Sequence, residues 1–145
     1  MPKLYRSMKR AADGAPVVGS QAKELGVREP PSVSADVEID GRNHVILNGK
    51  GMSVAENWRR LLPHLIPKRL KEQGLSADAS GSNALACWTM GSGPFAAGAV
   101  GEALFLTLKP GNVHNGNVAP ISSIPLREFQ THLAATRAQW AVDET

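Results

Sequence analysis

Asn48-Gly49-Lys50-Gly51-Met52-Ser53-Val54-Ala55-Glu56-Asn57-Trp58 is the stretch on which the reading of this chain turns. Glycines precede one hydroxyl residue, Ser53, and Glu56 follows it at the S-x-x-E spacing of a capping box. That spacing predicts a helix that starts at Ser53 and runs through Leu61 or Leu62, before Pro63 ends it. A small hydroxyl residue set after glycines also suits a site where a ligand comes close to the backbone. Helix cap and ligand-pocket wall are therefore the two readings of Ser53.

Working outward, Leu4–Met8 reads as a first strand, and residues 9–34 are punctuated by Asp13-Gly14, Val18-Gly19-Ser20 and Pro30-Pro31. A short helical turn is expected at Gln21–Leu25, stopped by Gly26. A gap this long in a compact domain is a functional loop or a poorly ordered one. Val37-Glu38-Ile39 and His44–Leu47 flank Asp40-Gly41, a hairpin signal. Pro63–Leu70 is expected to be an irregular or short-helical connector closed by Gly74, with a small-residue loop at Ser76–Ser82. Asn83–Met90 has strand composition. Glu102–Leu108 is the best strand in the chain; its near-continuous apolar run predicts cover on both faces. Pro110-Gly111 is a turn, and Val113–Ala119 a last short strand. Leu126, Phe129, Leu133 and Trp140 follow helical spacing, so a helix is expected from Pro125 to Trp140. The expected class is α+β, short strands in curved sheets with flanking helices, in one domain over residues 1–145.

Composition narrows the function classes. The chain has 145 residues, an apolar fraction of 42% and only 5% aromatics, which disfavours a stacking platform for bases. Cys87 is the single cysteine, so no internal disulfide can form; in the apolar run Ala84–Trp88 it reads as a small buried hydrophobe. Residues 1–20 lack the apolar core of a signal peptide, and no apolar run approaches the about 20 residues that span a bilayer, so a soluble chain is expected. The net charge of +3 is clustered. Residues 1–28 hold Lys3, Arg6, Lys9, Arg10, Lys23 and Arg28 against Asp13 and Glu24; Arg59, Arg60, Lys68, Arg69 and Lys71 stand together without an acid among them, whereas Asp143-Glu144 near the C-terminus is acidic. Such clusters suit a phosphate-bearing molecule, a nucleic acid or an acidic protein, or simply a solvated face.

There is no P-loop, no G-x-G-x-x-G, no C-x-x-C and no G-x-S-x-G elbow. The histidines His44, His64, His114 and His132 are not at metal-ligand spacing, so no metal site is expected.

Three segments remain: Leu4-Tyr5-Arg6, Gly51-Met52-Ser53-Val54, and Phe129 onward to Thr136-Arg137-Ala138-Gln139-Trp140. In this order and spacing the chain resembles the type VI secretion effector toxins with an ADP-ribosyltransferase-like fold. The resemblance implies a split, curved β-sandwich with an NAD-binding cleft. It implies that Arg6 holds NAD phosphate or ribose and that Ser53 shapes the nicotinamide pocket, with Met52 where a second hydroxyl often stands. Tyr5 and Gly51 lie in the same segments and are counted with the NAD contacts. His64, between prolines, and His114, in a polar turn, are further candidate contacts. The transferases' supporting glutamate has no motif here: neither Q-x-E nor E-x-E occurs. Glu102 leads the strongest strand and Glu128 lies in the last helix; Glu128 is the candidate acid beside Arg6 and Ser53.

The implied activity is ADP-ribose transfer to an intracellular macromolecule, or cleavage of NAD, by a toxin acting in a cytoplasm to which a secretion system delivers it. A cognate immunity protein is the implied partner. Each candidate has a plainer role as well: Arg6 as a surface strand residue, Ser53 as a cap, His64 as a connector residue. The competing functions are a non-catalytic version of the same fold and a small basic module that contacts nucleic acid or an acidic protein through Arg59–Lys71.

Overall fold

β-Branched, aromatic and sulfur side chains alternate with small or polar ones in the central strands, and a sheet is what buries such a pattern on both sides. The computed structural model describes residues 1–145. Its strands are β1 (Leu4–Lys9), β2 (Met52–Ala55), β3 (Leu85–Met90), β4 (Gly98–Val100), β5 (Leu104–Lys109), β6 (Asn112–Pro120) and β7 (Ala141–Val142). They form one seven-stranded sheet in the order β4-β5-β6-β2-β1-β3-β7, antiparallel throughout and curled into half of a barrel. Helix is scarce: α1 (Arg69–Glu72), α2 (Leu126–Ala134) and 3-10 turns at Trp58–Arg60, Pro63–Leu65 and Arg137–Gln139. The fold is thus sheet-rich α+β. No helix is long and apolar enough to cross a membrane.

The decisive stretch folds differently from the capping-box expectation. Met52–Ala55 is a strand, paired with β6 from Met52↔Val118 to Ala55↔Asn115. Met52 and Val54 are buried while Ser53 is exposed, a period of two rather than 3.6. The cap belongs to Asn57 instead. Its Oδ1 accepts from the Arg59 backbone N–H at 3.0 Å and starts the 3-10 turn at Trp58. Four ladder residues on β6 outweigh a local cap worth about 1 kcal/mol. Glu56, released from the capping role, reaches His114 on β6.

The other differences have similar causes. β5 is not covered on both faces: Leu104 and Leu106 are buried, but Phe105 between them is 40% exposed. Antiparallel pairing to β4 and β6 leaves that face open. Gln21–Leu25 forms a turn and not a helical one, since Lys23 takes a φ of 67°. The Val37–Leu47 hairpin is reduced to one bridge, Ile39↔Val45, with Asn43 at φ 60° in its turn. The last helix stops at Ala134, six residues short of Trp140. Thr136 ends it by bonding back to the Leu133 carbonyl at 2.7 Å and accepting from Trp140 Nε1 at 3.0 Å. The chain then turns outward into β7, which the sequence pattern does not announce.

Two apolar clusters flank the sheet. The larger joins Leu4, Met8, Met52, Val54, Trp88, Leu106 and Val118 to Leu126, Phe129 and Leu133 of α2. The smaller, on the other side of β1 and β3, holds Tyr5, Trp58, Ile66, Leu70, Ala79 and Cys87. Burial pushes the Cys87 thiol up to about 12, which leaves it neutral and inert at physiological pH.

The C-terminal residues close the smaller cluster. Glu144 takes both Arg69 Nη1 at 2.7 Å and Arg69 Nη2 at 2.6 Å, and also the Cys87 N–H at 3.1 Å. Thr145 O accepts from Trp58 Nε1 and Arg59 Nη1. Asp143 accepts the Tyr5 hydroxyl at 2.7 Å. The acidic end and part of the basic run of residues 59–71 therefore answer each other.

A pH prediction follows from Asp143. The hydrogen bond from Tyr5, then that from the Thr145 hydroxyl, lowers its pKa from 3.8 to about 2. A folded-state value below the unfolded one contributes stability above about pH 4, and that contribution is lost as pH falls through 2. Asp143→Asn should cost on the order of 1–2 kcal/mol at pH 7, given partial exposure, and should flatten the stability–pH curve between pH 4 and 2. Urea denaturation across that range measures it; an unchanged slope would rule the contribution out.

Candidate functional site

The site opens where two strands part. β1 and β2 pair at Tyr5↔Ala55 alone. Beyond it Arg6 and Ser7 form one lip of a cleft and Ser53 and Val54 the other. The cleft holds about 440 Å³, within the range of small-molecule sites. Its walls are the loop bearing Lys23, Arg28 and Asp36, the connector Arg60–Leu65, and the β5–β6 hairpin with Lys109, Asn112, Asn115 and Asn117.

Arg6 lies across the split. Its Nε and Nη2 donate to Glu24 O at 3.3 and 3.0 Å, and its Nη1 donates to Ser53 O at 2.8 Å. Side-chain alternation explains the reach. Leu4 and Met8 flank Arg6 and point into the larger cluster, so Arg6 leaves β1 on that face and must cross to β2 to find acceptors. Burial pushes its guanidinium down to about 10, partly offset by Asp36, and it stays charged at neutral pH. Ser7, on the opposite face, donates to Leu65 O at 2.6 Å and ties the connector to the cleft floor.

Charge is the dominant property. Arg6, Lys23, Arg28, Arg60 and Lys109 line the cleft against one carboxylate, Asp36. Asp36 is already engaged: Oδ1 takes Arg28 Nη2 at 2.8 Å, and Oδ2 takes Arg28 Nε at 3.2 Å and its backbone N–H at 2.7 Å. Lys23, Arg60 and Lys109 have no carboxylate partner. A concave surface with this excess focuses a positive potential and draws in an anion.

The residues expected at the site divide. Arg6, Ser53 and His64 share the cleft. The Ser53 hydroxyl has no partner in the protein and is open to a ligand. Tyr5 is buried in the smaller cluster and bonded to Asp143, and it does not line the cleft. Met52 is 2% exposed, inside the larger cluster. Gly51 is buried against β6. His114 pairs with Glu56 outside the cleft lining. Glu128 stands on α2, its Oε1 3.7 Å from His132 Nε2 one turn on, and does not line the cleft. On α2, Leu126, Phe129 and Leu133 face the core, and at about 100° per residue Glu128 lies on the opposite, exposed side.

Asp36, Lys109 and the three asparagines were not expected at the site, while Lys23 and Arg28 were legible only as members of the basic cluster of residues 1–28. For Lys23 and Arg28 the signals were that cluster and the length of the 9–34 gap, which marks a functional loop without saying which side chains turn inward. No protein-family model, no curated protein and no solved structure matches the chain.

Proposed function

We propose that the cleft binds NAD and that the chain is an ADP-ribosyltransferase-like toxin, transferring ADP-ribose to a macromolecule or to water. The observation that carries this reading is the cleft between parted strands, lined by Arg6, Ser53 and a surplus of cations over one paired carboxylate. A pyrophosphate needs fixed positive charge, and arginine and lysine supply it. In the reaction the bond between nicotinamide N1 and ribose C1 breaks, and its electron pair leaves with nicotinamide. A nucleophilic atom of the acceptor, or water, then forms the new bond to C1 and gives up its proton to solvent. The developing positive charge on the ribose calls for nearby negative or lone-pair density. Asp36 is the one carboxylate of the cleft, and the unpartnered Ser53 hydroxyl offers lone-pair density beside it. Delivery by a secretion system, action in a target cytoplasm and neutralisation by an immunity protein belong to this proposal through the resemblance of the three segments.

Mixing purified protein with NAD should release nicotinamide, with or without cell lysate as a source of acceptors. Ser53→Ala should reduce release at least about tenfold, with an unchanged melting temperature because its hydroxyl bonds nothing in the protein. No NAD consumption under either condition would reject the catalytic reading.

The ion-paired state of Asp36 favours one second reading, a cleft that binds the nucleotide without turning it over. NAD binding by calorimetry with no nicotinamide release would select it. The nucleic-acid alternative loses support: Arg69 is held by Glu144 and Arg59 by Thr145, while Arg60 turns into the cleft.

A further inference from the structure

Arg6 is the residue that a first-strand arginine would make the phosphate contact, yet its hydrogen bonds go elsewhere. Of its five N–H groups, Nε–H, one on Nη2 and one on Nη1 are bonded to the carbonyls of Glu24 and Ser53. The guanidinium stitches the 20s loop to β2. What that stitch holds in place is the neighbouring residue, Lys23.

Lys23 is fixed from both sides by β1. Its own carbonyl accepts the Lys9 N–H at 2.8 Å, and the next carbonyl, that of Glu24, takes the two Arg6 bonds. Between these anchors Lys23 has φ 67°, a left-handed conformation that a side-chain-bearing residue adopts at a cost of about 1–2 kcal/mol. No contact of its side chain offsets that cost. The ammonium group has neither a hydrogen bond nor an ion pair, although Glu24 is adjacent. Glu24 is turned away: its Oε2 lies 3.6 Å from Lys9 Nζ, and its Oε1 accepts the Gln21 N–H at 3.1 Å. A glycine would fit the backbone better. The chain instead keeps a long cation there, lining a cleft whose only acid is already paired. Strained backbone that survives at a ligand cleft is commonly kept for what the side chain does.

We propose that Lys23 is the phosphate-contacting residue of the cleft, and that Arg6 is the positioning residue that holds it there. The assignment rests on the reading of the cleft as a site for a phosphate-bearing ligand. It replaces a direct Arg6–phosphate contact with an indirect one: Arg6 fixes the Glu24 carbonyl, the Glu24 carbonyl fixes the loop, and the loop presents the Lys23 ammonium.

Calorimetric titration with NAD and with inorganic pyrophosphate tests it. Lys23→Gly suits the left-handed φ, so its melting temperature should equal or exceed that of the native protein. Its pyrophosphate affinity should nevertheless fall about tenfold or more, with a weaker dependence on salt. Lys23→Arg, which restores the charge, should bind within about threefold of the native protein. Lys71→Ala, outside the cleft, should bind like the native protein and so controls for net charge. Arg6→Lys should lose affinity and melting temperature together but keep the native salt dependence, because the Lys23 charge remains. Native-level pyrophosphate affinity in Lys23→Gly, with binding by the native protein intact, would overturn this assignment alone. Failure of the native protein to bind either probe would overturn the reading of the cleft itself.

Discussion

Arg6→Ala is expected to lower the melting temperature by about 10 °C and to abolish NAD binding. The truncation removes the three donors that satisfy the Glu24 and Ser53 carbonyls where β1 and β2 part. Carbonyls left unpaired in a part-buried setting cost about 1–3 kcal/mol each. The two strands share only the Tyr5↔Ala55 pair, so beyond apolar packing it is Arg6 that joins them across the split. The loop carrying Lys23 then loses one of its two anchors, and binding fails with it. The measurement is a thermal melt alongside calorimetry with NAD. Loss of binding at a native melting temperature would mean that Arg6 touches the ligand directly and holds nothing together.

Gly51→Ala is expected to destabilise the fold by about 3 kcal/mol or more. Gly51 stands in the segment that resembles the NAD-binding element, where a glycine would let a cofactor approach. Its space is taken by protein. A Cβ on Gly51 would lie 2.2 Å from the Val118 carbonyl oxygen and 2.7 Å from the carbonyl carbon, both main-chain atoms of β6. Backbone cannot rotate away as a side chain can, so β2 must shift off β6 and carry Met52 and Val54 out of the core. Urea denaturation gives the magnitude. Near-native stability with weakened NAD binding would return Gly51 to the ligand and away from packing.

Arg6 and Ser53 show how far the sequence could be read. Two of the three segments chosen from it do meet: Arg6 and Ser53 reach one cleft although they are 47 positions apart and leave their strands on different faces, whereas no residue from Phe129 to Trp140 lines it. Their roles were less legible. An arginine on a strand looks the same whether it serves a ligand or a carbonyl, and only the position of Glu24 O decides. The helix expected at Ser53 illustrates the limit of local pattern. S-x-x-E describes what a segment can do by itself, and β6 was a stronger partner than the segment's own backbone. Glu128 fails for a related reason. Helical spacing tells which face is apolar, and that face excludes Glu128 from the core without placing it in a cleft.

What the chain's sequence determined alone is the set of elements with strong local signals. These are the strands around Leu4–Met8, Asn83–Met90 and Glu102–Leu108, the turn at Pro110-Gly111, and the apolar stripe Leu126, Phe129 and Leu133. Each rests on periodicity or on a turn residue such as Gly111, with φ 74°, and neighbours a few positions away suffice to impose it. Tertiary structure alone decided that Met52–Ala55 is a strand, that Ala141–Val142 closes an edge, and that Asp143–Thr145 answer Tyr5, Trp58, Arg59 and Arg69. It also decided which cations of a scattered set converge on one cleft. Those outcomes depend on pairing energies and charges brought together across the whole chain, and no window of neighbouring residues contains them.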